Sequence, residues 1–115
     1  MKPELSDRLL RFAIDVILLL RKFPNTTEYK IIKYQLIKSS TSSGANYEEA
    51  QGGSSRADFK NKIFIALKEM RESNYWLKVL NGVSDDTKTK EEDFRLINES
   101  GELKNILGSI VSKLK

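Results

Sequence analysis

The chain has no cysteine and no histidine in its 115 residues, and only two prolines and six glycines. Without cysteine there is no disulfide framework, no thiolate nucleophile and no sulfur-ligated zinc. Without histidine there is no Ser-His-Asp or Cys-His catalysis, no histidine proton relay and no Glu-x-x-His di-iron site of the kind built into helical bundles. The small proline and glycine content excludes collagen-like and Pro/Gly-rich disordered classes. Long apolar runs are missing as well. The longest, Val16–Leu20, is far short of the roughly 20 residues that span a bilayer. Asp7, Arg8, Arg11 and Asp15 interrupt any signal-peptide core near the start, so no membrane association and a cytoplasmic location are expected. Asn25-Thr26-Thr27 and Asn98-Glu99-Ser100 match the glycosylation tripeptide, and in that setting they read as chance matches.

What the chain does have is charge and helical rhythm. Lys and Arg number 20 against 16 Asp and Glu, a net charge of +4, and 39% of residues are apolar. The charge is uneven: residues 1–24 carry +2, 25–51 balance at 0, 52–81 carry +3 and 82–115 carry −1. A basic central segment suits phosphate or an acidic partner, and it equally suits a solvated lysine-rich face.

Three breaks divide a single domain, residues 1–115, into four helical segments. Phe23-Pro24-Asn25-Thr26 stops the first, and Asn25-x-x-Glu28 offers the second a capping box. Gln51-Gly52-Gly53-Ser54-Ser55 makes a glycine turn, with Ser55 as N-cap and Asp58 three residues on. Asn81-Gly82 ends the third segment, and Thr89-x-x-Glu92 caps the fourth. The pattern predicts helices over approximately 4–23, 26–51, 55–81 and 90–114. Short links between them imply antiparallel neighbours.

Each segment carries apolar or small residues spaced alternately three and four apart. They are Leu5, Leu9, Phe12, Val16, Leu19 and Phe23; Tyr29, Ile32, Leu36, Ser39, Ser43, Asn46 and Ala50; Phe59, Ile63, Ala66, Met70, Ser73, Leu77 and Leu80; and Leu96, Ser100, Leu103, Leu107, Ile110 and Leu114. That spacing is the seam of helices crossing at about 20°. No segment alternates with the period of a strand. The expected fold is an all-α, antiparallel up-down four-helix bundle.

Two helices have more apolar surface than a bundle core requires. The first spreads Leu10, Ile14, Ile17 and Leu20 beside its seam, giving an arc of roughly 200° where about 100° suffices. The third flanks its seam with Phe64 and Leu67 on one side and Ile65, Trp76 and Val79 on the other. Central packing is one explanation. A contact between copies is the other, with Leu10, Ile14, Ile17, Phe64, Ile65, Trp76 and Val79 as the expected oligomer interface.

Ser39-Ser40-Thr41-Ser42-Ser43-Gly44-Ala45-Asn46 runs against helix propensity yet keeps the seam in phase. Ser39, Ser40, Ser43 and Gly44 therefore read as a close-contact stretch, filled by large residues such as Phe59, Met70 or Trp76. Asn46 on the seam needs partners, with Glu49, Glu69 and Ser73 within reach. No Gly-x-x-x-x-Gly-Lys-Ser/Thr motif is present, which excludes a phosphate loop. Glu48/Glu49 and Glu69/Glu72 could supply paired carboxylates or an oxygen-only metal site. Salt bridges to Arg56, Lys68 or Arg71 are the simpler expectation. No catalytic residue, cofactor or metal is expected.

Pro24, Glu28 and Tyr34-Gln35-Leu36 lead into Ser42-Ser43-Gly44-Ala45-Asn46-Tyr47-Glu48-Glu49-Ala50. Ser55, Asp58-Phe59, Lys62, Ile65-Ala66, Glu69, Glu72 and Tyr75-Trp76-Leu77 follow. Together these resemble the small four-helix-bundle proteins of the 23S rRNA intervening-sequence family. The strongest motif content lies in 34–80. Gly44 departs from the pattern, standing where many members carry isoleucine or valine. The resemblance implies a bacterial up-down bundle assembled as a homopentamer. It also implies kinship with the accessory variability protein of diversity-generating retroelements, a basic pentameric barrel that associates with a reverse transcriptase and nucleic acid.

The expected function is a non-enzymatic, homo-oligomeric binding or scaffold protein whose partners are copies of itself and RNA or an RNA-handling protein. Arg56, Lys60, Arg71 and Lys78 on the third helix are the candidate nucleic-acid contacts. The alternatives are an accessory protein of a retroelement reverse transcriptase and a carboxylate-dependent enzyme.

Overall fold

The computed structural model describes residues 4–53 and 55–114, so Ser54 of the glycine turn lies outside the described residues. Four helices follow in order: α1 (Leu5–Leu20), α2 (Thr27–Ala50), α3 (Arg56–Val83) and α4 (Lys90–Lys113). No strand occurs among the described residues. At 1.5 Å per residue, the 28-residue α3 spans about 42 Å and sets the 45 Å long axis.

The helix ends follow from local competition for backbone hydrogen bonds. α1 stops three residues earlier than the apolar pattern, because Lys22 N and Phe23 N turn back to Leu19 O (3.0 Å) and Leu20 O (3.1 Å) ahead of Pro24. The expected Asn25/Glu28 capping box does not form. Thr26 is the N-cap without a side-chain bond, and Asn25 Oδ1 instead accepts from Lys33 Nζ at 2.8 Å. Ser55 does cap α3, its Oγ accepting from Asp58 N at 3.1 Å, and Gly53 takes φ +84° in the preceding turn. α3 runs through Asn81-Gly82 to Val83. Lys90 Nζ satisfies its last carbonyls by donating to Asn81 O (2.7 Å) and Ser84 O (2.9 Å). Thr89 precedes α4 without a side-chain cap; its hydroxyl donates to Asp86 O, while Glu92 turns to Arg95.

Each helix packs against its two neighbours in a square, α1–α2–α3–α4 and back to α1, with no direct packing across the diagonals. The seams meet along the axis of the square. Leu9, Phe12, Val16, Leu19, Ile32, Leu36, Ile63, Ala66, Met70, Leu77, Leu80, Leu96, Leu103 and Leu107 are all buried there. α2 and α3 pack most intimately and α1 and α4 least. Side-chain size explains the order: serines and Ala66 separate the first pair, whereas arginines and carboxylates bridge the second.

Candidate functional site

The serine stretch is helical throughout, with Ser39, Ser40 and Ser43 buried, and its hydroxyls are all occupied. Ser39 and Ser73 share a hydrogen bond of 2.8 Å, and Ser43 donates to Ala66 O at 2.7 Å, which fastens α2 to α3. Ser40 and Thr41 bond back to Ile37 O. Gly44 faces α1: a Cβ there would stand 3.4 Å from Leu9 Cβ. The bulk opposite Gly44 is therefore Leu9 of α1. Asn46 is half-buried and donates within its own helix to Ser42 O (2.9 Å) and Ser42 Oγ (3.1 Å), so Glu49, Glu69 and Ser73 do not serve it. Glu49 is exposed, and its carbonyl accepts from Gly52 N at 3.0 Å. The buried Ser39 and Ser43 hydroxyls bind α2 to α3.

Glu48, Glu49, Glu69 and Glu72 make no ion pair among the described residues. Glu69 is half-buried, with Oε2 buried and unpaired; burial, then the neighbouring Glu72, raises its pKa. The expected salt bridges to Arg56, Lys68 and Arg71 are not formed among the described residues. Ion pairs gather instead on the α1/α4 side: Arg8 with Glu99 (2.7 Å) and Glu102 (3.3 Å), and Arg95 with Asp15 (2.8 Å) and Glu92 (2.6 Å). These hydrogen bonds hold Glu92 below the ordinary carboxylate range. No group of three or more Asp, Glu, His or Cys that could hold a metal occurs among the described residues.

Lys60, Arg71 and Lys78 point to the α3/α4 side, with Arg56 on the first turn of α3. Their spacing along α3 puts Lys78 about 10 Å and Lys60 about 16 Å from Arg71 in opposite directions. α4 adds Lys104, which the sequence reading missed, in a cleft of about 370 Å³ lined by Arg71, Lys104, Asn105 and Gly108. None of these five cations forms an ion pair with a described residue, whereas the acids of α4 are drawn to α1. Lys104 could have been found by its helical phase, since it lies one turn from Ser100, which bonds Asn74 of α3.

The expected oligomer residues divide among three sides. Leu10 and Ile14 are exposed and Ile17 half-buried on the outer α1/α2 side, beside Tyr34 and Ile37. Ile65, Trp76 and Val79 are half-buried toward α2, and Tyr75 stands edge-on to Trp76 at 5.4 Å. Phe64, 56% exposed, faces the α4 side with Lys60. Sequence reasoning also missed Asn74, which is buried and ties α3 to α4 through Ile97 O (3.1 Å) and Ser100 Oγ (2.8 Å).

Comparison with known proteins agrees with this architecture. A crystal structure from Bacteroides thetaiotaomicron VPI-5482, described as a protein of unknown function from the S23 ribosomal protein family, is similar to the chain. It matches with 37% identity and a TM-score of 0.82 over 94% of this chain and 98% of that one. Among curated proteins none matches. The family model described as 23S rRNA-intervening sequence protein matches residues 4–109, nearly the whole bundle from α1 to the last turns of α4. The chain belongs to the 23S rRNA-intervening sequence protein family.

Proposed function

We propose that this protein is a non-enzymatic, cytoplasmic scaffold that assembles with copies of itself, five by the family resemblance, and binds RNA without sequence preference. The observation that carries the reading is the α3/α4 side, where Arg71, Lys78 and Lys104 stand together with their charges unspent on any described residue. A phosphate backbone is the partner that suits Arg71 and Lys104 on one open cleft between helices, with Lys78 about 10 Å along α3 from Arg71. No aromatic platform accompanies them, so stacking readout of bases is not expected. The RNA-related names carried by the family and by the similar crystal structure agree with such a partner.

Filter binding of structured RNA across a salt series tests this. With three phosphate contacts per engaged copy, the logarithm of the affinity should fall with log salt at a slope of about −3 on paired segments and about −2 on single strands. Arg71→Gln combined with Lys104→Gln should weaken binding alike on unrelated sequences and flatten the slope by about 1 to 2. No retention of RNA at low salt would refute the proposal.

A further inference from the structure

The square of helices puts the α1/α2 side opposite the α3/α4 side, and the two carry unlike apolar features. Between α1 and α2 lies a groove of about 340 Å³, lined by Leu9, Leu10, Ala13, Gly44, Ala45 and Glu48 among others, and its wall is almost wholly apolar. Its floor exists because Gly44 lets α1 come close, leaving no side chain to fill the space. On the opposite side Phe64 projects beside a smaller recess that it lines with Lys60, Val111 and Leu114. One side is a socket and the other a knob.

Height and charge agree with that pairing. Ser43 donates to Ala66 O and Gly44 packs on Leu9, so Leu9, Gly44 and Phe64 share one end of the bundle within about one helical turn. The socket end is acidic: Glu48 lines it, and Glu4 and Glu48 both lie close enough to Tyr47 to act on its hydroxyl. The knob end is basic, with Lys60 at the recess and Arg56 one turn away.

We propose that Phe64 of one copy inserts into the α1/α2 groove of the next, with Lys60 and Arg56 meeting Glu48 and Glu4. The contact is heterologous, joining two different surfaces, and it rests on the reading above that the protein assembles with itself. Such contacts propagate from copy to copy, closing into a ring when the rotation between successive copies closes and running on as a filament when it does not. Knob and socket at the same height keep successive copies level, and two-fold pairing of like surfaces does not use them. Arg71 and Lys104 lie on the same α3/α4 side as Phe64, about 10 Å farther along the bundle.

The test uses Phe64→Glu and Ala45→Glu, each placing a carboxylate at an exposed position on one side only. Masses are read by light scattering at micromolar concentration, with circular dichroism and melting temperature as folding controls. The wild type should be a multiple of the chain mass, each variant a folded monomer, and their equimolar mixture a one-to-one heterodimer through the one intact knob and socket. A wild-type assembly that both variants retain overturns this contact while leaving self-assembly intact. Variants that are monomeric alone and stay monomeric when mixed overturn the heterologous pairing. A monomeric wild type overturns self-assembly itself, and this contact with it.

Discussion

Asp93 is the residue whose replacement should stabilise this fold. It lies in the first turn of α4, has no exposed surface, and neither carboxyl oxygen has a hydrogen-bond partner. Lys90, one turn away, commits its ammonium to Asn81 and Ser84. Burial raises the Asp93 pKa; Lys90 and the neighbouring Thr89 hydroxyl oppose the shift, and Asp86 and Glu92 add to it. An unpaired buried polar group costs about 1–3 kcal/mol, and a charged one more. The helix N-terminus returns only about 0.3–1 kcal/mol to a carboxylate, so the burial cost wins. Asp93→Asn keeps the shape and removes the charge, and should gain about 1–2 kcal/mol at neutral pH, or about 4–8 °C in melting temperature. The sign with pH follows from the raised pKa. Wild-type stability is fully present while the carboxyl is protonated, below its unfolded pKa, and is lost as pH rises through its folded one. The advantage of the variant should therefore be full near pH 7 and shrink toward about pH 3. Urea midpoints by far-ultraviolet circular dichroism at several pH values measure it. A variant less stable than wild type at neutral pH, or an advantage that does not change with pH, would refute the reasoning.

The opposite pH signature belongs to Arg95. Arg95→Ala leaves Asp15, whose side chain is 10% exposed, with only Arg11 at 3.3 Å, and should cost about 1–2 kcal/mol at neutral pH. Because Glu92 is held below its ordinary pKa, the wild-type benefit is present at neutral pH and lost as pH falls, so the two proteins should converge in acid denaturation. Ser43→Leu tests the close approach of α2 to α3. The site is fully buried with its hydroxyl on Ala66 O, so the added volume should cost about 1–3 kcal/mol in urea unfolding.

Periodicity made the four helices and their inward faces legible, because side-chain direction repeats every 3.6 residues whatever the neighbour is. It also kept Ser39 and Ser43 in register with Leu36 and Ala50, and all four lie in the packed interior. The neighbour itself was not legible. Phase alone could not tell that Gly44 meets Leu9 of α1 and not an aromatic residue of α3, since that depends on which side of the square α1 occupies. Caps were legible only where no rival donor or acceptor stood nearby. Ser55 and Asp58 are undisturbed, whereas Lys33 takes Asn25 and Arg95 takes Glu92. The cationic side was read from α3 alone. Lys104 joins it only because Asn74 and Ser100 set the rotation of α4.

The four sides of the square owe their different capacities to where polar groups are satisfied internally. On the α1/α4 side, Arg8 and Arg95 close their ion pairs inside the chain, so that side has little charge left for a partner despite its many charged residues. Between α2 and α3 the Ser39 and Ser73 hydroxyls satisfy each other and Ser43 donates to Ala66 O, which draws the backbones together. Between α3 and α4 the tie is made by the neutral Asn74, and the cations outside it keep their charge. A net charge of +4 and three clustered cations give a single copy only a weak hold on a phosphate backbone. Repetition around an assembly makes the second and later contacts intramolecular, which raises affinity without any new residue. On the proposed reading, self-association is then the means by which a mildly basic chain without an evident catalytic group binds RNA at all.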